Sequence, residues 1–115
     1  MYSLTSTMKV IVKNKRTNLP LSGVKIHWAK IPENVKHPGA FSQRAKNFEN
    51  ELQVDITNQG GFCLLHGILH SKDHLRIYIH RIICHGFKEL RIEKKMSITG
   101  GTEKEFIVYL YPDNE

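Results

Sequence analysis

Cysteine is scarce in this chain: two in 115 residues, Cys63 and Cys84. Two thiols are too few for the disulfide frameworks that hold small secreted domains together. They are read as free thiols, buried or half-buried. A Cys63–Cys84 disulfide stays open as the alternative, should neighbouring strands bring them together in an oxidising compartment. No Cys-x-x-Cys spacing occurs, and neither a glycine-rich phosphate loop nor a nucleophile elbow is present. No apolar run approaches the roughly 18 residues of a membrane-crossing helix. The first residues, Met1 to Thr7, carry neither a basic region nor an apolar stretch, so no secretory signal is expected and the compartment is left open. Internal repeats and low-complexity tracts are also missing.

The composition is that of a globular domain, 40% hydrophobic and 24% charged, at a length that suits one core. Seventeen Lys and Arg against eleven Asp and Glu give a net charge of +6. A basic balance favours anionic partners. The basic residues are dispersed, with doublets only at Lys15-Arg16 and Lys94-Lys95. Dispersed lysines also keep a β-domain soluble and blunt its edges, which is the simpler reading.

Alternating apolar residues dominate the pattern. The stretch Asp55–Leu65 organises it: Leu52, Val54 and Ile56 lead into Thr57-Asn58-Gln59-Gly60-Gly61, and Phe62 and Leu64 lead out. Glycine reaches positive φ without steric cost, so the stretch predicts a hairpin with strands near 51–58 and 61–66. Further strands are expected at 8–13, 24–29, 75–84, 87–93 and 105–111, with a slip near Arg81-Ile82. The sole tryptophan, Trp28, falls on the inward face of its strand. The expected core is Val10, Val12, Val24, Ile26, Trp28, Val54, Ile56, Phe62, Leu64, Ile77, Ile79, Phe106, Val108 and Leu110. Residues 31–50 interrupt this rhythm. Phe41, Ala45, Phe48 and Leu52 stand at helical spacing behind a capping Ser42, which predicts a short helix near 41–49. Residues 1–6 read as a loose leader, 66–74 and 94–104 as loops, and 113–115 as a tail, leaving a single domain over 7–112.

The succession Leu19-Pro20-Leu21-Ser22-Gly23-Val24, then Thr57-Asn58-Gln59-Gly60-Gly61-Phe62, then His85-Gly86-Phe87, then Val108-Tyr109-Leu110-Tyr111-Pro112 resembles the carboxypeptidase regulatory-like domain. The fold that this family implies is the seven-stranded, prealbumin-like (Ig-like) β-sandwich of the transthyretin type, all-β apart from the inserted helix. The resemblance covers residues 8–112, with a 31–50 connection longer than usual. It implies a non-catalytic module, a spacer, a companion of an enzyme, or a binding domain of surface and secretion machinery. One enzymatic branch, the hydroxyisourate hydrolases, ends in tyrosine-arginine-glycine-serine. This chain ends Tyr109-Leu110-Tyr111-Pro112-Asp113-Asn114-Glu115 and departs from it.

Seven histidines invite other chemistry. His66, His70 and His74 stand four apart and would stack on one helical face, with Cys63, Cys84 and His85 as further ligands. A Cys–His nucleophilic pair would join Cys63 or Cys84 to His66, His80 or His85, and Cys63, next to an inward Phe62, would face solvent. Acids such as Glu49, Glu51 and Asp55 are read as solvated. Incidental loop histidines remain the default, with no catalytic residue, metal or cofactor expected. The candidate binding residues are Phe41, Phe48, Tyr109 and Tyr111, the last two on an edge strand. The expected function is therefore a binding or assembly module for a protein partner, with a homo-oligomer formed through an edge strand as one form. The alternatives are a small histidine-centred hydrolase or metal enzyme on the same fold, and a domain for an anionic polymer. Convergent histidines would mark the former and a one-sided basic face the latter.

Overall fold

The computed structural model describes residues 3–30, 52–70, 74–99 and 103–113. They form seven strands: β1 (Ser3–Asn14), β2 (Lys25–Lys30), β3 (Gln53–Ile56), β4 (Phe62–His70), β5 (His74–Ile83), β6 (Leu90–Thr99) and β7 (Glu103–Leu110). One sheet has the order β4-β1-β7 and the other β3-β2-β5-β6. β1 lies antiparallel to β4 and parallel to β7. No helix occurs among the described residues, and the helix expected near 41–49, with Phe41 and Phe48, lies outside them.

Both sheets contribute to one core. Met8, Val10, Val12, Cys63, Leu65, Val108 and Leu110 come from the three-stranded sheet. Ile26, Trp28, Ile77, Ile79, Ile82 and Met96 face them from the four-stranded one. Strict alternation on β1, β2 and β7 makes this layer, since side chains two apart share a face. Trp28, Val10, Val24, Ile77 and Leu110 are buried as the pattern predicts. The expected slip on β5 appears at His80, which both neighbouring ladders skip: the register shifts between Ile79 and Arg81 against β6 and opposite His27 and Trp28 against β2. Phe106 is only partly buried against the core.

The stretch around Thr57–Gly61 is a corner rather than a hairpin. β3 pairs with β2 and β4 pairs with β1, so the turn carries the chain from one sheet to the other. The Thr57 side chain explains the difference. Its hydroxyl donates to the Leu21 carbonyl at 2.7 Å and accepts from the Val24 amide at 3.0 Å. The Thr57 amide donates to the Val24 carbonyl and the Gly23 amide to the Thr57 carbonyl, both at 3.0 Å. The Val12 amide then reaches the Gly61 carbonyl at 2.8 Å. The turn itself closes with the Asn58 amide on the Phe62 carbonyl at 2.9 Å, but beyond it the Thr57 backbone is taken by Gly23 and Val24 and the Gly61 carbonyl by β1.

The corner also reassigns two faces. Cys63 and Leu65, not Phe62 and Leu64, enter the core, and Leu64 is exposed. Phe62 to Leu65 is apolar throughout, so alternation there had no preferred phase. On β3, Val54 and Ile56 are exposed at 47% and 56%. Asp55 takes the inward position because it accepts a hydrogen bond from Trp28 Nε1. A half-buried carboxylate with an indole donor replaces the solvated acid that the sequence suggested.

Strands also run further than expected. Ser3 to Ser6 belong to β1, where Ser3 stands opposite His70, so this part of the leader is paired strand. His66 to His70 extend β4, and His74 opens β5 opposite Thr99. β6 continues to Thr99 through the supposed loop, while Phe87 makes only an isolated bridge to Pro112. Long cross-strand partners override weak local turn signals at these places.

Candidate binding edge

β7 is an edge strand: it pairs with β1 on one side, and no described strand pairs with the other. In an extended strand the N–H and C=O of one residue point to the same side. The Leu110 carbonyl accepts from the Lys15 amide at 2.9 Å, on the β1 side. The Tyr111 carbonyl accepts from the Lys88 amide at 2.8 Å, on the other side. By alternation, the backbone groups of Glu105, Ile107 and Tyr109 point to the open side. The bonds Lys88 N–H to Tyr111 and Asp113 N–H to Gly86 close the edge at its C-terminal end. Among the described residues the open edge is therefore short, centred on Ile107.

The side chains of the same residues lie on the outer face of the three-stranded sheet. Register places Phe62, Ile11 and Ile107 in one row across the three strands. Leu64, Lys9 and Glu105 form the next row, and Lys13 stands beside Tyr109. Ile107, Tyr109 and Tyr111 are exposed at 46%, 38% and 50%. Two lysines lie over rings: Lys9 Nζ 4.5 Å from the Phe62 centroid and Lys15 Nζ 4.9 Å from that of Tyr109. From Ile107 to Tyr111 the strand has no charge, proline or bulge, the usual devices that protect an edge.

Of the candidate binding residues, Tyr109 and Tyr111 thus sit together on this edge. Ile107 was missed as a site residue, because the sequence does not say which partner leaves an edge open. Its place between charged Glu105 and aromatic Tyr109 was the available signal.

The histidines do not assemble as a helical stack. His66 and His70 share one strand, where a four-residue step spans about 13 Å, too far for one ion. His66 Nδ1 instead lies 3.5 Å from Thr7 Oγ1. Among the described residues no three His, Cys, Asp or Glu side chains gather as a metal site. His80 is buried on the face of β5 turned away from the core, with Nδ1 3.0 Å from the Tyr78 hydroxyl. Burial, with a lesser contribution from the Glu93 charge, pushes the Tyr78 hydroxyl up from its ordinary value.

Cys63 faces the core rather than solvent, and both thiols are unpaired. Burial first, and then the Asp55 carboxylate, push the Cys63 thiol up to about 12. Such a thiol is protonated at neutral pH and is a poor nucleophile. Cys84 is raised by burial as well, and its Sγ lies 3.7 Å from the His85 carbonyl. A thiol-specific disulfide reagent at pH 8 should therefore titrate at most one cysteine per native chain and both after denaturation. Early reaction of both would contradict the buried position of Cys63.

The raised Cys63 value also carries a pH dependence. Above the ordinary value of 9.0 the unfolded thiol ionises while the folded one does not. Stability should fall as pH rises from about 9 towards 12. Denaturant midpoints of the wild type should drop more steeply over that range than those of Cys63→Val.

No family model matches the sequence, and no curated protein is similar to it. Solved structures do resemble it. The fold is similar to part of the TIE protein of Bacillus anthracis, with a TM-score of 0.60 and 13% identity over 95% of this chain and 17% of that one. It is also similar to 3-chlorocatechol 1,2-dioxygenase from Rhodococcus opacus, with a TM-score of 0.60 and 10% identity over 95% of this chain and 60% of that one. A third likeness, to the C-terminal domain of a shaft pilin from Lactobacillus rhamnosus GG, has a TM-score of 0.45, 8% identity, and covers 98% of this chain and 100% of that one. The chain spans less than two thirds of the length of the first two. At these identities the likenesses speak for the fold alone. A dioxygenase sharing it is a reminder that function sits in sites grafted on folds.

Proposed function

We propose that this chain is a non-catalytic binding and assembly module, one domain of the prealbumin-like type, that captures an extended segment of a protein partner along the open edge of β7. One observation carries the reading. The edge presents outward backbone groups at Glu105, Ile107 and Tyr109 beside an exposed apolar face, and from Ile107 to Leu110 no charge, proline or bulge protects it. Strand addition takes its affinity from such main-chain groups and its specificity from alternate side chains. The buried Cys63 thiol and the separation of His66 from His70 along one strand weigh against the histidine-centred hydrolase.

The test is Ile107→Pro. The Ile107 N–H points away from β1, so proline there removes a donor from the open edge without breaking the β1–β7 ladder. Extended peptides selected from a random library on the wild-type protein should bind the variant at least about tenfold more weakly. The variant's melting temperature should move by only a few degrees. Amide exchange should slow at Ile107 and Tyr109 on peptide binding. Selected peptides that bind the variant equally well would sink the reading.

A further inference from the structure

β4 is the other edge of the three-stranded sheet, and it carries no formal charge. It pairs with β1 in unbroken register from Phe62 to His70, and no described strand pairs with its other side. Its 9 residues include no lysine, arginine, acid or proline, in a chain of net charge +6. Such residues are what usually guards an edge. The Val12 amide donates to the Gly61 carbonyl at 2.8 Å, so Gly61 turns its backbone to β1. By alternation Cys63, Leu65, Gly67 and Leu69 do the same, while Leu64, His66, Ile68 and His70 turn theirs to the open side. Phe62 agrees with this phase. Its carbonyl accepts from the Asn58 amide at 2.9 Å and its amide donates to Asn58 Oδ1 at 3.3 Å, away from β1. The turn therefore closes the edge at Phe62 and leaves the stretch 64–70 open, with Gly67 at its centre.

We propose that the open side of β4 joins two copies of this chain, antiparallel about a two-fold axis at Gly67. Identical strands paired in this way are self-complementary, each donor meeting the acceptor that its own copy presents. With the axis at Gly67, Leu64 stands opposite the partner's His70 and His66 opposite the partner's Ile68. Every open-side amide and carbonyl of the stretch then has a counterpart. An axis at another residue leaves some of them without one, or sets them against Phe62, whose groups Asn58 already holds. Gly67 meets its own copy in a non-hydrogen-bonded pair, where strands approach most closely, and it has no side chain to crowd the axis. The two three-stranded sheets become one of six strands, an ordinary size. Charge permits this approach. Lys9, opposite Leu64, is one strand in from the edge, its Nζ 4.5 Å from the Phe62 ring centroid. Its copy across the axis stands at least three strand spacings away, about 14 Å, past the screening length of about 8 Å at physiological salt. The contact leaves the β7 edge open and does not depend on the strand-capture reading.

Light scattering on the full chain tests this. One strand pair is smaller than the roughly 1,200 Å² of a standard interface, so the mass should rise with concentration and level at two copies by about 200 μM. Leu64→Lys puts a charge on the edge at an exposed position. His66→Pro removes an open-side donor and leaves the β1 ladder whole. Each should weaken the pair at least about tenfold, with melting temperatures within a few degrees of the wild type at low concentration. Should the proline variant fail to fold, Leu64→Lys decides alone. Ile107→Pro should leave the pair intact. In hydrogen exchange the amides of Leu64, His66, Ile68 and His70 should slow as concentration rises, and those of Leu65 and Gly67 should not. A single-copy mass at every concentration would overturn the proposal and leave strand capture at β7 standing. A pair that survives both β4 variants, a pair lost with Ile107→Pro, or masses that grow past two copies would overturn it too. Equal slowing at Leu65 and Gly67 would mark packing of faces instead of edges and overturn it. A single-copy mass together with a library-selected peptide that protects the four open-side amides would make a foreign strand the occupant.

Discussion

Gly61→Ala should destabilise the protein by about 3 kcal/mol or more, from about 1–2 kcal/mol of left-handed backbone strain and a similar steric cost. Gly61 has φ +78° at the corner between the sheets. A Cβ there would run into the Pro20 ring and stand 3.0 Å from the Leu21 nitrogen, which is backbone and cannot swing aside. Because the Gly61 carbonyl also accepts from the Val12 amide, relief by moving the corner would unpick β1. The melting temperature should fall by more than roughly 10 °C, a large share of the stability of a domain this size. Gly86→Ala supplies the control. Gly86 has φ +84° but nothing within 4 Å of its would-be Cβ, so it isolates the backbone term. Equal losses in the two variants would show that the Pro20 contact is relieved without cost.

Thr57→Val should cost about 2–4 kcal/mol although it preserves shape, because it strands two backbone groups at once. Thr57 is buried, and its hydroxyl serves the Val24 amide and the Leu21 carbonyl together. A valine leaves both without that partner in a place water does not reach. Thr57→Ser keeps the hydroxyl and should lose only about 1 kcal/mol, from one methyl group. Chemical denaturation of the three proteins checks the order. A valine variant as stable as the serine variant would mean that the hydroxyl does not hold the corner. Neither substitution lies on β7, so peptide binding below the transition should be unchanged.

Much of this architecture was legible in the pattern of residues. The stripes on β1, β2 and β7 are clean alternations, and a half-buried strand leaves its faces little freedom. Trp28 at the core, the turns at Asn14–Asn18 and His85-Gly86, and the slip on β5 follow from short-range rules. The errors at the corner share one cause. Thr57-Asn58-Gln59-Gly60-Gly61 is ideal turn chemistry, and turn chemistry does not say whether the strands on either side pair with each other. Asp55 on an inward position broke the alternation of β3 because its partner, the Trp28 indole, lies 27 residues away.

The candidate site divides in the same way. The sequence by itself determined an all-β chain with exposed Tyr109 and Tyr111 on its last strand, because alternation fixes which side chains turn outward. It also determined the excess of lysine and arginine. Only the tertiary structure decided that no described strand lies beyond β7, that β3 and β4 belong to different sheets, and that Lys15 comes to lie over the Tyr109 ring. The physical reason is that strand propensity and periodicity are local, whereas the choice of neighbour depends on which distant backbone groups remain to be paired. Thr57 settles that at the corner and Lys88 at the end of the edge, each by a hydrogen bond across the fold.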